Sequence, residues 1–323
     1  MWGSIWNRRE RLDRIQGRLS PELIRLWLAT QSVFEGRPNL NVRHLTRFSD
    51  CPREFWYREI LGLSVWPGPL ETWPPSSQGD VIHQTLERFL RPMVTREPKD
   101  YGSSRLRYIY WEQVHRHFCY KPVGRKPVFD ALTMKLESSL MAWIERHRDI
   151  GKLHVQAVEW SFGGRQGNDA PPYRIDSPSG PFYLSGRIDR IDWEGGHVVA
   201  RDYKTNRSAM FSPSAGRKPK EGPRPSWHYP MVLYALVARD HFKAAADAVI
   251  EFVDPREGLD RLEVEPGEPT EFSELWENLL GGELTVARDR QHCEGCDYRH
   301  MCRPRHEAGM GADEGDETPP PGE

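Results

Sequence analysis

Apolar residues recur at helical spacing through the first half of the chain and alternate with polar ones through much of the second half. Leu12, Ile15, Leu19, Leu23, Leu26 and Trp27 predict an amphipathic helix over 8–30. Ser20 followed by Pro21 predicts that it breaks in two, because serine suits an N-cap and proline the first helical turn. Its opposite face carries Arg8, Arg9, Arg11, Arg14, Arg18 and Arg25, which reads as a solvated face or a contact surface. Residues 41–63 set Cys51 ahead of an aromatic helical segment with Phe55, Trp56, Tyr57 and Ile60, and 65–77, dense in proline and tryptophan, reads as a loop. Over 79–90 the residues Val81, Ile82, Leu86, Phe89 and Leu90 share one side of a helix, and His83 and Glu87 share the other. Further helices are predicted over 105–118 and 131–146.

From His154 the period changes to two. Val155, Ala157, Glu159 and Phe162 mark one strand, Phe182, Leu184, Gly186, Ile188 and Ile191 a second, and Val198, Ala200 and Asp202 a third. The turn Glu194-Gly195-Gly196 separates the last two. A loop rich in proline and basic residues over 207–225, an apolar helix over 227–242 and a strand over 248–253 follow, with no internal repeat. The fold class expected is α/β. The organisation expected is a helical segment over 1–40, one main domain over 41–305 and a disordered, acidic, Gly/Pro-rich tail over 306–323.

Composition adds constraints. With 323 residues, 37% of them hydrophobic, the chain can bury one large core. A net charge of -2 means that any nucleic-acid contact must come from local patches and not from a global positive field. No stretch approaches the roughly 20 apolar residues of a membrane helix, and no apolar signal core follows the early arginines, so a cytoplasmic location is expected. In a reducing compartment, cysteines are expected to serve as ligands more than as disulfides.

Candidate chemistry concentrates in the segments GRIDRID (186–192) and RDYKT (201–205). Residues i and i+2 of a strand share a face, so Asp202 and Lys204 project together while Tyr203 faces away. If the strands bearing Asp189 and Asp202 pair as a hairpin, the two carboxylates can hold one hard cation such as Mg²⁺ or Mn²⁺, and Lys204 can orient a water molecule and offset developing charge. His83 can add an imidazole, a ligand that tilts preference toward Mn²⁺. The blander readings are an ordinary solvated strand face for Asp202 and Lys204, a surface histidine for His83, a turn residue for Asp192 and a structural strand position for Glu159.

Cys293, Cys296 and Cys302 can place three thiolates around one centre, and Cys51 can complete a set of four. Spacing alone favours zinc, with His292 and His300 as further candidates; an iron-sulfur cluster is the rival. Cys119 stands alone and reads as a buried bystander.

These motifs carry a resemblance. A cysteine before an aromatic helix, a Gly-x-x-x-His helix, a Gly-x-Ile-Asp strand, an Asp-Tyr-Lys-Thr strand and a closing three-cysteine cluster, together covering about 41–305, resemble the RecB- and AddB-like nucleases of the PD-(D/E)XK superfamily. The resemblance implies a restriction-endonuclease-like mixed sheet flanked by helices, with His83, Asp189 and Asp202 as metal ligands and Asp189, Asp202 and Lys204 as catalytic residues. It also implies a 4Fe-4S cluster on Cys51, Cys293, Cys296 and Cys302, which reverses the preference for zinc. The activity implied is cleavage of single-stranded DNA, exonucleolytic or flap-type, in repair, recombination or defence. The resemblance also implies work beside a helicase, and with no Walker A sequence in this chain that helicase is expected as a separate subunit. The alternative is a weakly active DNA-binding subunit; a zinc-binding, RNA-associated module would require the Asp-Tyr-Lys segment to be accidental. One departure is Pro230, which stands four residues before Tyr234 where the family has glutamine; His228 or Tyr229 are the shifted substitutes. Substrate contacts are expected from Arg207, Arg217, Lys218, Lys220 and Arg224 in the basic loop, from Trp227 and Tyr234, and from base stacking on Trp56, Trp66 and Trp73.

Overall fold

A computed structural model describes residues 19–64, 73–97, 101–118, 125–147, 149, 154–164, 169–206, 227–254, 261–282, 293 and 296–302. The chain before residue 19, the basic loop over 207–225, Cys119 and the tail over 306–323 lie outside the described residues. Helix α1 (Pro21–Leu28) starts where the sequence predicts its break. The Ser20 side chain accepts the Leu23 N–H, and Pro21 occupies the first turn.

The chain then runs through the hairpin β1 (Ser32–Phe34) and β2 (Arg37–Asn41), helix α2 (Val42–Asp50) and helix α3 (Pro52–Phe55), which continues as a π turn (Trp56–Ile60). Three long helices follow, α4 (Pro75–Val94), α5 (Ser103–Phe118) and α6 (Lys126–Arg146). Next come β3 (His154–Phe162), β4 (Tyr173–Ile175), β5 (Phe182–Glu194), β6 (His197–Asn206), α7 (His228–Phe242), β7 (Ala246–Asp254), β8 (Arg261–Val264) and α8 (Pro269–Leu280). Helix α4 begins four residues earlier than its apolar pattern predicts and α6 five, because a proline in the first turn costs the helix no hydrogen bond. Among the described residues no helix is long and apolar enough to cross a membrane.

The strands form one mixed sheet of eight, in the order β1-β2-β5-β6-β7-β8, with β3 and β4 also paired to β5. Strand β5 organises it. Its first half lies between β2, parallel, and β4, antiparallel, and its second half between β3 and β6, both antiparallel. Helices α2, α7 and α8 pack with Trp160, Ile188, Ile191, Ala200 and Ile250 in one core. Helices α4, α5 and α6 pack with Val158, Tyr203 and Val253 in the other. The sheet is therefore covered on both faces, which is why its central strands are rich in Val, Ile and Ala.

Asp192 is not the turn residue that the sequence suggests. Strand β5 continues past it to Glu194, and Asp192 is fully buried in a network of charges. Arg190 donates to Asp192 at 2.9 Å, to the Tyr203 hydroxyl at 2.8 Å and to Glu251 at 3.1 Å, while Arg201 donates to Asp192 at 2.6 Å and to Glu251 at 3.2 Å. Trp143 on α6 and His147, which caps that helix, close the other side of Glu251. The two guanidinium groups are desolvated but matched by carboxylates, the condition under which buried charges are tolerated.

Candidate active site

The site forms where the regular alternation of two strands breaks. Along β3, Val158 faces the core beneath α4–α6, whereas Trp160, two residues on, faces the opposite core. Between them Glu159 adopts φ 50°, the left-handed region that a non-glycine residue seldom occupies. Opposite it, the ladder between β5 and β6 has its last paired residues at Arg190 and Arg201. One step further, Asp189 accepts the Tyr203 N–H with its own side chain, at 2.7 Å. The carboxylate thus replaces a backbone carbonyl where the two strands diverge, and it is held by the strand it leaves.

Helix α4 brings His83 to the same point. Its Nε2 lies 3.1 Å from the Tyr203 carbonyl, and its Nδ1 lies 3.3 Å from Asp189 Oδ1 and 3.9 Å from Glu159 Oε1. His83, Glu159 and Asp189 each offer a ligand atom, and these atoms all lie within 4.8 Å of one another. Asp202 and Lys204 project together, as their spacing predicts, with Nζ 2.5 Å from Asp202 Oδ2. The contact is a close ion pair at a buried carboxylate oxygen.

The electrostatics are those of a site rich in negative charge. Burial and the neighbouring Asp189 push Glu159 up to about 7, against the pull of Arg187 and His83. Burial and Asp189 likewise raise Asp202, with Lys204 opposing. Burial raises Asp189 too, but His83, the Tyr203 N–H and Lys204 outweigh it and hold it below its ordinary value. For His83, burial works against the charged form, yet Asp189, Asp202 and Glu159 hold it up to about 9. Two carboxylates and an imidazole around one point, with the Asp202–Lys204 pair beside them, fit a hard divalent cation.

Glu159 is the member that sequence reasoning set aside as a structural strand position. Its carboxylate enters the cluster because the kink at φ 50° turns it out of the strand's alternation, and a left-handed glutamate leaves no mark in a pattern of period two. The remaining expectations divide. Tyr234 on α7 is 5% exposed, its ring packed against Phe162 and over Gly186, where a Cβ would come within 3.1 Å of it. Trp73 is 1% exposed, between Phe118 and Phe129, so it cannot stack on a base. His228 pairs with Glu271 at 2.8 Å and Tyr229 packs on Phe272, so both suggested substitutes for the family's glutamine have partners on or beside α8. Trp227 is partly buried against the core beside α7, and Trp56 lies on Tyr57. Arg207, Lys218 and Trp66 lie outside the described residues.

The cysteines lie toward the opposite end of α2, but among the described residues their sulfur atoms do not form a group of three or more within 4.8 Å of one another. Cys51, buried, ends α2 and begins α3. Cys302 is raised first by burial, with Arg53 opposing and Cys51 and Cys293 adding to it, and Cys296 is raised by burial and by Cys51 and Cys302. Each of the four thiols is therefore within electrostatic reach of others in the set. Tyr298 fastens the C-terminal three to the π turn. Its N–H points at Cys296 Sγ, its hydroxyl donates to the Leu63 carbonyl at 2.6 Å and its ring lies on Tyr57. Arg58 pairs with Asp297 at 2.8 Å beside it.

A search of curated proteins finds no match. Among solved structures, the crystal structure of SSO0001 is similar at 14% identity and a TM-score of 0.38, over 90% of this chain and 98% of that one. The sequence matches the model of the PD-(D/E)XK nuclease superfamily over residues 39–303, a span that holds the kinked strands, the carboxylate cluster and all four cysteines. The chain belongs to the PD-(D/E)XK nuclease superfamily.

Proposed function

We propose that the protein is a RecB- or AddB-like, metal-dependent nuclease that hydrolyses phosphodiester bonds in single-stranded DNA, by exonucleolytic or flap-type cleavage. The observation that carries this reading is the convergence of His83, Glu159 and Asp189 within 4.8 Å, beside the Asp202–Lys204 ion pair. His83, Glu159, Asp189 and Asp202 would hold Mg²⁺ or Mn²⁺, and a bound cation of this kind polarises a phosphate oxygen and acidifies a water molecule. Asp189 and His83 are fixed by the N–H and carbonyl of one residue, Tyr203, so their spacing is set by backbone. Lys204 stays cationic, because Asp202 more than offsets the cost of its burial, and it is placed to orient the attacking water and to balance charge on the phosphate.

The test is cleavage of end-labelled single-stranded DNA with Mn²⁺ or Mg²⁺ by the protein and its Asp202→Ala and Lys204→Ala variants. Cutting that needs the cation and falls at least 100-fold in both variants supports the reading. Equal activity in the variants refutes it. The second reading, a DNA-binding subunit that cuts weakly, is favoured by Pro230 and by the engagement of His228 with Glu271. DNA binding without cutting by the unaltered protein is its signature.

We further propose that Cys51, Cys293, Cys296 and Cys302 hold a 4Fe-4S cluster with a structural role, on the strength of the one-plus-three spacing and of Tyr298, which fastens the C-terminal segment to the turn after Cys51. Zinc is the alternative, and metal analysis of anaerobically purified protein separates them. A helicase subunit is the partner proposed, on the resemblance to RecB- and AddB-like nucleases.

A further inference from the structure

Several exposed arginines away from the site are paired with a carboxylate, among them Arg91 with Glu87, Arg107 with Glu137, Arg116 with Glu112 and Arg174 with Asp176. Two arginines stand at the rim of the carboxylate cluster with donors left open. Arg187, two residues before Asp189, has a side chain 58% exposed and is tied only by its Nε, 2.8 Å from Glu159 Oε2. The other carboxylate oxygen of Glu159 faces His83. The outer N–H groups of Arg187 have no acceptor among the described residues, so the guanidinium is aimed by the cluster while its outer edge stays open.

Arg43 approaches from the other side. It lies in the first turn of α2, next to Asn41, whose side chain accepts the Arg43 N–H at 3.0 Å. Asn41 is in register with Ser185 of β5, beside Gly186 and the Tyr234 ring that covers it. The Arg43 side chain is exposed, and its guanidinium has no hydrogen-bond or ion-pair partner among the described residues. Its charge is felt by both Lys204 and Tyr234, and that of Arg187 by Tyr234 as well. Three cations thus stand around one face of the site, two of them exposed with open donors. Placing like charges together is unfavourable until an anion joins them, and planar guanidinium groups suit phosphate oxygens.

We propose that Arg187 and Arg43 grip the two phosphates that flank the one presented to the carboxylate cluster, so that a nucleic-acid strand is threaded across the site with its scissile bond in register. Arg187 couples this grip to the metal site, since Glu159 holds it through one oxygen while the other faces the cluster. The proposal rests on the nuclease reading and names the positioning residues of that same site.

Binding of a fluorescent single-stranded oligonucleotide to the full chain in Ca²⁺, an oxygen-seeking cation used here in place of Mg²⁺ or Mn²⁺, measured from 50 to 500 mM salt, tests it. Each phosphate contact contributes about 0.7 to the slope of log K against log[salt] on a single strand, so Arg187→Gln and Arg43→Gln should each flatten it by about that amount. If the curves meet near 1 M salt, that change is about five-fold weaker binding at 0.1 M for each variant and about 25-fold for the pair. Lysine at either position should restore the slope, and Arg174→Gln, the same loss of charge away from the site, should leave it unchanged. In cleavage assays the glutamine variants should raise KM with little change in kcat. An unchanged slope in Arg187→Gln and Arg43→Gln, an equal change in Arg174→Gln, or wild-type protein that binds no DNA would each overturn the grip. A wild type that binds with the expected slopes but never cuts would instead sink the proposal of an active nuclease and leave the grip standing.

Discussion

Glu159 stores strain and repulsion at one position. A left-handed backbone costs a non-glycine residue about 1–2 kcal/mol, and its carboxylate is buried within reach of Asp189. Such cost is retained where the surrounding structure enforces it and the site uses it. Glu159→Gln keeps the backbone and shape but removes the repulsion. The variant is expected to melt at the same or a higher temperature than wild type in a chelator, and to need at least ten-fold more Mn²⁺ for half-maximal cleavage, the scale on which a lost ligand contact is felt. A lower melting temperature in chelator together with an unchanged Mn²⁺ requirement would show the residue to be structural. At this scale the sequence is legible where chemistry follows alternation. Asp202 and Lys204 two apart share a side in the structure. Asp192 was misread because strand β5 runs on past it and Arg190 and Arg201 of the same hairpin pair with it, and Glu159, in a strand as expected, sits where alternation breaks.

At the scale of elements, the divergence of β5 from β6 depends on what fills the space behind it. Tyr203 lends its N–H to Asp189 and its carbonyl to His83, while its hydroxyl is held by Arg190 in the buried network with Asp192, Arg201 and Glu251. Burial alone would raise Glu251, but Arg190, a hydrogen bond from His147 and Arg201 hold it well below the ordinary carboxylate range. The unfolded chain therefore takes up a proton at Glu251 before the folded one does. The stabilisation is fully present above the ordinary carboxylate value of 4.5 and is lost progressively as the pH falls below it. Glu251→Gln leaves two buried guanidinium groups short of a counter-charge and should cost about 3–5 kcal/mol at pH 7. In urea titrations from pH 7 to pH 3, the gap between wild type and variant should stay constant down to about pH 4.5 and narrow below it. Parallel curves across the whole range would remove the network from the account of stability. The hairpin itself is readable from Glu194-Gly195-Gly196 between two alternating runs. The β1–β2 hairpin and β8 went unread, because such short strands are held by pairing on β5 and β7 and not by a period of their own, whereas α8 was missed although Phe272, Trp276 and Leu279 fall at helical spacing behind a capping box.

For the whole molecule, the order of motifs along the chain carries more than any one of them, since a cysteine near the start of the matched span and three near its end bracket every residue of the carboxylate cluster. What the sequence does not convey is that Cys51 caps the far end of the helix whose first turn holds Arg43, so that α2 runs from the cysteine end of the fold to the carboxylate site. A metal or cluster bound by Cys51 and the C-terminal three closes a loop of about 250 residues. Closing a loop of that length removes about 5–6 kcal/mol of freedom from the unfolded state, about 8 °C in melting temperature for a chain of this size. If one centre uses all four thiols, Cys51→Ser and Cys302→Ser should each lose the bound iron and fall by that amount, and the double variant should fall no further. Asp202→Ala, which leaves the thiols intact, should keep its iron and its melting temperature. Additive losses in the double variant would mean that Cys51 and Cys302 act separately, each by its own packing. Coincident losses would mean that the two ends of the nuclease fold are joined through a single centre, and that its removal loosens α2 at both the cysteine end and the Arg43 end.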